Sequence, residues 1–104
     1  MIDNTEMILM TEPTDELKLE IKKLIIETLS VQDVDPADVD DEKPLFGGGN
    51  ALTLDSVDAI EIIMAIQRTY GIRIADQGVA RQVISSIGSI ARFITREREN
   101  TPSN

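Results

Sequence analysis

The period of the apolar residues is the strongest constraint on this chain. Around 14–29, 55–70 and 86–98 they recur every three or four positions, the spacing of one helix face. In the first stretch Leu17, Ile21, Leu24, Ile25 and Thr28 share a stripe, with Lys18, Lys22, Lys23 and Glu27 outside it. Thr14 or Glu12-Pro13 can open it. In the last stretch Ile87, Ile90, Ala91 and Ile94 form the stripe, and Arg96 and Arg98 complement the negative end of the helix dipole. Asp76 is a good N-cap for a short helix reaching about Val83. Ile72-Arg73-Ile74 alternates like a strand, but no partner strand is evident, so it reads as an extended linker. The expected fold is all-α: three longer helices, one short helix, and a long loop between helices 1 and 2.

That loop, residues 30–54, holds Pro36, Pro44 and Gly47-Gly48-Gly49. A connection so long needs anchors or a function. Val34, Val39, Leu45, Phe46, Leu52 and Leu54 are the candidate anchors, and Asp35-Pro36 reads as a short turn. Its acids, Asp33 to Glu42, lack the spacing of a calcium loop: Ala37, Asp38 and Pro44 fall where a ligand, a glycine and the closing glutamate belong. The glycines are not a phosphate loop, since no Gly-Lys-Ser/Thr follows. They read either as an ordinary loop or as freedom beside the next helix.

Length and composition narrow the function. The chain has 104 residues, enough for one domain with one core. It has no Cys and no His. That excludes a disulfide scaffold, a zinc finger, a thiol nucleophile and the usual general base. No apolar run is long enough to span a bilayer, and the start lacks the basic region of a signal peptide, so the expected location is cytoplasmic. The net charge is −9, which disfavours nucleic acid and anionic membranes as partners and favours basic protein surfaces. All of it lies in the first half, where residues 1–50 carry 13 acids and 4 bases, against 6 and 6 in residues 51–104.

The functional signal sits on the second helix, from Asp55-Ser56 to Tyr70, with Gly71 as its stop. At 100° per residue Ala59, Ile62, Ile63, Ile66 and Tyr70 share the core face. Val57, Ile60 and Met64 point nearly opposite, among Asp58, Glu61, Gln67 and Arg68. A helix buried on all sides would need partners for Asp58 and Glu61 that so short a chain can hardly supply. The second apolar side is therefore expected to be an exposed docking face. At the helix start, either Asp55 or Ser56 can cap. A serine there is exposed at the positive end of a dipole, where phosphate is accommodated. Without a base or a nucleophile elbow it suits modification by another enzyme better than chemistry of its own.

Asp55-Ser56-Val57-Asp58, running into Ala59-Ile60-Glu61-Ile62-Ile63-Met64-Ala65-Ile66, resembles the phosphopantetheine attachment site of acyl carrier proteins. Pro44-Leu45-Phe46 with its glycines, and Tyr70-Gly71-Ile72-Arg73-Ile74, also fit that pattern, which covers about residues 14–96. Val57 stands where leucine is commoner. The resemblance implies a four-helix carrier and not an enzyme. A phosphopantetheinyl transferase, with Mg²⁺ in its own site, would move 4′-phosphopantetheine from coenzyme A onto Ser56, assisted by Asp55. Acyl groups would then ride as thioesters for fatty acid, lipid or polyketide-type biosynthesis. Val57, Asp58, Ile60, Glu61 and Met64 match positions that dock acyl-loading, condensing and modifying enzymes with basic patches.

Gln67 and Arg68 depart from the acidic later half typical of the family, and Leu-Phe-Gly-Gly-Gly…Leu-Asp-Ser-Val-Asp-Ala looks more like carriers of specialised lipid or polyketide pathways. The expected layout is a flexible extension over 1–13, a carrier domain over 14–98 and a flexible tail over 99–104, in a monomer. A peptidyl or aminoacyl carrier, and an unmodified acidic interaction module, are the alternatives.

Overall fold

A computed structural model describes residues 13–74 and 76–100. The expected N-terminal extension, Pro13 apart, and residues 101–104 lie outside the described residues. Four helices follow in order: α1 (Asp15–Thr28), α2 (Ser56–Tyr70), α3 (Gln77–Val83) and α4 (Ile87–Asn100). One 3₁₀ turn, Pro36–Asp38, interrupts the α1–α2 loop. α4 runs two residues past the boundary expected at 98, because a final turn of polar residues still satisfies its own backbone.

Local chemistry sets the helix ends. The Thr14 hydroxyl accepts from Leu17 N–H at 3.1 Å and starts α1. Gly71 closes α2 in the left-handed region (φ 65°), donating its N–H to Gln67 C=O at 2.9 Å. The Asp76 carboxylate accepts from Gly78 N–H at 3.1 Å and starts α3. Ser86 and Ser89 cap α4 reciprocally, each hydroxyl accepting from the other's N–H.

The core is almost wholly aliphatic. Ile21 and Ile25 of α1, Ile62 and Ile66 of α2, and Ile87, Ile90 and Ile94 of α4 are fully buried, with Leu45 and Leu52 from the loop. Each contributes about 1.5–3 kcal/mol by leaving water. Ala65 is buried too, a core position outside the expected stripe because at 100° per residue it falls on the flank of α2 beyond Ile62. Ala59, Ile63 and Tyr70, assigned to the core face, are only half-buried. The close approaches are of α1 to α4 and α2 and of α3 to α4, while Ala59 and Ile63 line an open groove.

All six expected loop anchors pack inward, Val39, Leu45, Leu52 and Leu54 fully and Val34 and Phe46 partly. Between them side chains do the folding. Asn50 Oδ1 accepts from Asp40 N–H at 2.8 Å while its amide donates to the carbonyls of Asp40 and Lys43. Asp40 in turn accepts from Glu42 and Lys43 N–H, and these donors hold its carboxyl below the usual carboxylate range. Asp41 pairs with Lys22 at 2.6 Å, and Glu42 reaches Arg92 at 3.4 Å. Two of the loop's six acids therefore face bases of α1 and α4. Gly47 and Gly48 lie at φ 92° and 91°, so here glycine is a backbone requirement.

At the other end of α2, the Tyr70 hydroxyl donates to Glu20 at 3.2 Å and the Arg98 guanidinium lies 5.3 Å from its ring centroid. α1, α2 and α4 meet there.

Candidate functional site

The start of α2 is built around a capping box. Asp55 Oδ1 accepts from Asp58 N–H at 2.9 Å, and Asp58 Oδ2 accepts from Asp55 N–H at 3.1 Å. Asp55 is thus the N-cap and Ser56 the first helical residue. Of the two caps the sequence allowed, the geometry selects Asp55. The Ser56 side chain is left exposed and without a hydrogen bond among the described residues. It stands where unpaired N–H groups and the dipole make the local potential positive.

Along α2 the other sequence-derived site residues separate by exposure. Val57, Ile60 and Met64 are 65%, 61% and 56% exposed, far more than three large apolar side chains would be in a helix buried all round. Glu61 is exposed beside them, while Asp58 is half-buried and partly committed to the capping box. The stripe continues into exposed Arg68, which has no ion-pair partner among the described residues. Gln67 turns away: its carbonyl accepts from Ile74 N–H at 2.7 Å and straps the linker to α2.

Ser56 opens onto a groove of about 810 Å³ between α2 and α3. Ala59, Ile60, Ile63 and Met64 form one wall and Ile74, Ala80 and Ile84 the other. Pro44 and Phe46 close one side, and Asp76, Gln77, Arg81 and Ser85 supply polar edges. Sequence periodicity did not reveal this groove. The half-buried face of Ala59 and Ile63 belongs to it, but only the placement of α3 across from that face shows this. Among the described residues no group of three or more acids is placed to hold a metal, and no helix is long and apolar enough to cross a membrane.

An exposed, unbonded serine on a helix start, beside an apolar groove, has the form of an attachment point. Comparison with known proteins places the chain in a family. The family model described as "Phosphopantetheine attachment site" matches residues 20–94. The acyl carrier protein of Wolinella succinogenes is 29% identical over 75 residues, covering 72% of this chain and 88% of its own. A Schizosaccharomyces pombe protein described as a mitochondrial acyl carrier protein is 40% identical over 50 residues. That match covers 48% of this chain and less than half, 43%, of the yeast protein. No solved structure gives a significant match. With the family model spanning most of the chain and an all-α fold that agrees with it, the protein belongs to the acyl carrier protein family, carriers of 4′-phosphopantetheine rather than enzymes.

Proposed function

We propose that Ser56 is the attachment point and that the chain carries acyl groups for a specialised lipid or polyketide-type pathway. The observation that carries this reading is the exposed, unbonded Ser56 hydroxyl on the first residue of a 15-residue helix, at the mouth of an apolar groove.

The residues present fit the prosthetic group. A phosphate on Ser56 would lie at the positive end of α2, and the groove offers aliphatic walls to a pantetheine arm or an acyl chain. When bound, the arm supplies the thiol that this cysteine-free chain lacks, and acyl groups ride on it as thioesters. Asp55 fixes the turn that presents Ser56 and, in this reading, assists transfer from coenzyme A. Val57, Ile60 and Met64 offer desolvatable contact area to the transferase and to loading, condensing and modifying enzymes. Asp58 and Glu61 steer basic patches of those enzymes toward the serine.

The pathway rests on the far half of α2. Gln67 is occupied with Ile74, and Arg68 adds a cation with no ion-pair partner among the described residues, which supports partners other than those that read a uniformly acidic helix. Residues 14–98 are taken as the carrier domain, acting as a monomer in the cytoplasm.

The test is intact mass after incubation with coenzyme A, Mg²⁺ and a broad-specificity phosphopantetheinyl transferase. Wild type should gain one phosphopantetheine and Ser56→Ala none. No gain by wild type across several such transferases would sink the attachment reading and leave an unmodified interaction module.

A further inference from the structure

The two ends of the groove differ, and backbone hydrogen bonds identify them. Leu45 N–H donates to Ser85 C=O at 2.9 Å, and Leu54 N–H donates to Leu45 C=O at 2.8 Å. Ser85 follows α3 by two residues, and Leu54 precedes Ser56 by two. The C-terminal end of α3 therefore lies beside the start of α2. The opposite end is marked by Ile74, held by Gln67.

Arg81 stands one turn before Ser85, at the Ser56 end, and lines the groove. Among the described residues it is the only Lys or Arg that does so. It is exposed and has no hydrogen bond or ion pair among the described residues. By contrast Lys18 and Lys22 face Asp41, and Arg92 faces Glu42. The carboxylate on the groove edge, Asp76, caps α3.

A phosphodiester on the Ser56 oxygen keeps one negative charge at neutral pH. Asp55 and Asp58 flank it and repel it. The Asp58 N–H that would otherwise face it is already donated to Asp55. The helix start alone therefore holds the anion weakly, its dipole offset by two carboxylates, and the wall opposite carries a guanidinium with no partner among the described residues. Arginine suits this task because its planar fork takes two phosphate oxygens at once.

We propose that Arg81 pairs with the phosphodiester of the arm and holds its first atoms over the groove instead of leaving them in solvent. Arg81 is then a positioning residue for the prosthetic group. The proposal rests on attachment at Ser56, and the experiment separates the two.

¹⁵N-labelled protein is converted with coenzyme A and the transferase, and complete conversion is established by intact mass. The Arg81 Nε–Hε cross-peak should shift on conversion while that of Arg73, off the groove, stays in place. The ³¹P resonance of converted Arg81→Gln should differ from wild type, with Arg81→Lys between them. The unconverted variants should keep the wild-type amide spectrum away from residue 81, since Arg81 has no partner to lose among the described residues. An unmoved Arg81 cross-peak together with an unchanged ³¹P resonance, in protein of the converted mass, overturns the pairing alone. No mass gain overturns the attachment and the pairing together. Loading from acetyl- and malonyl-coenzyme A identifies the anion. A shift seen only with the malonyl arm belongs to a cargo carboxylate and overturns the phosphate assignment.

Discussion

Asp55 is asked to do two jobs, and substitutions can separate them. Structurally it is the N-cap of α2, with one bond to Asp58 N–H at 2.9 Å and one returned to its own N–H at 3.1 Å. Asp55→Ala removes the acceptor and leaves the Asp58 N–H to water. Both bonds are exposed, so the loss lies near the middle of the range for N-caps, about 1 kcal/mol. In a domain of this size that lowers Tm by about 4–8 °C. Asp55→Asn retains a capping oxygen of equal quality and removes the charge, so its Tm should fall within a degree or two of wild type. If the carboxylate also assists arm transfer, Asp55→Asn should be modified as slowly as Asp55→Ala despite its intact stability. The assay is circular dichroism melting beside a time course of intact mass. Equal melting of all three proteins would refute the capping argument. A wild-type modification rate for Asp55→Asn would refute the assignment of charge to the transfer step.

Tyr70 is the chain's single tyrosine and there is no tryptophan, so its ionisation can be followed by absorbance without interference. Burial chiefly, then the charge and hydrogen bond of Glu20, push its phenol up to about 12 against the opposing pull of Arg98. The neutral phenol is favoured by folding, so its contribution is complete below pH 10 and is lost as pH rises from 10 toward 12. A titration midpoint near 10 in the folded protein would contradict that environment. On the docking face, Glu61→Lys should leave stability within about 0.5 kcal/mol of wild type, since Glu61 is exposed and outside the cap. It should slow association with the transferase, most at low salt. Equal rates at low salt would remove Glu61 from the steering group.

The features legible in the sequence are those decided within a few residues. Asp55, Asp76 and Gly71 act on their own helix ends, and they sit where pattern and capping rules put them. The exposure of Val57, Ile60 and Met64 was also readable, because two apolar sides on one helix exceed what a short chain can cover. The loop was legible only as a set of anchors. Its path depends on Asn50 reaching back ten residues to Asp40 and on Leu45 bonding to Ser85, contacts without local signature. Gln67 stood out in the sequence as a missing acid, but its use was invisible until Ile74 came within reach. Arg81 carried no signal at all: it is an ordinary base on a seven-residue helix until α3 is placed beside α2.

The tethering of α3 bears on which substitutions the groove tolerates. Near Ser56 it is joined through Ser85 and Leu45 to Leu54 by main-chain bonds, and at the far end the Gln67 side chain holds Ile74. Ala80 and Val83 seat the helix in the core between these fastenings. The two fastenings differ in what a substitution can reach. Gln67→Ala would release the Ile74 N–H at the remote end, whereas the main-chain bonds beside Ser56 do not depend on any one side chain. The surroundings of the serine are thereby buffered against sequence change in a way the far end of the groove is not.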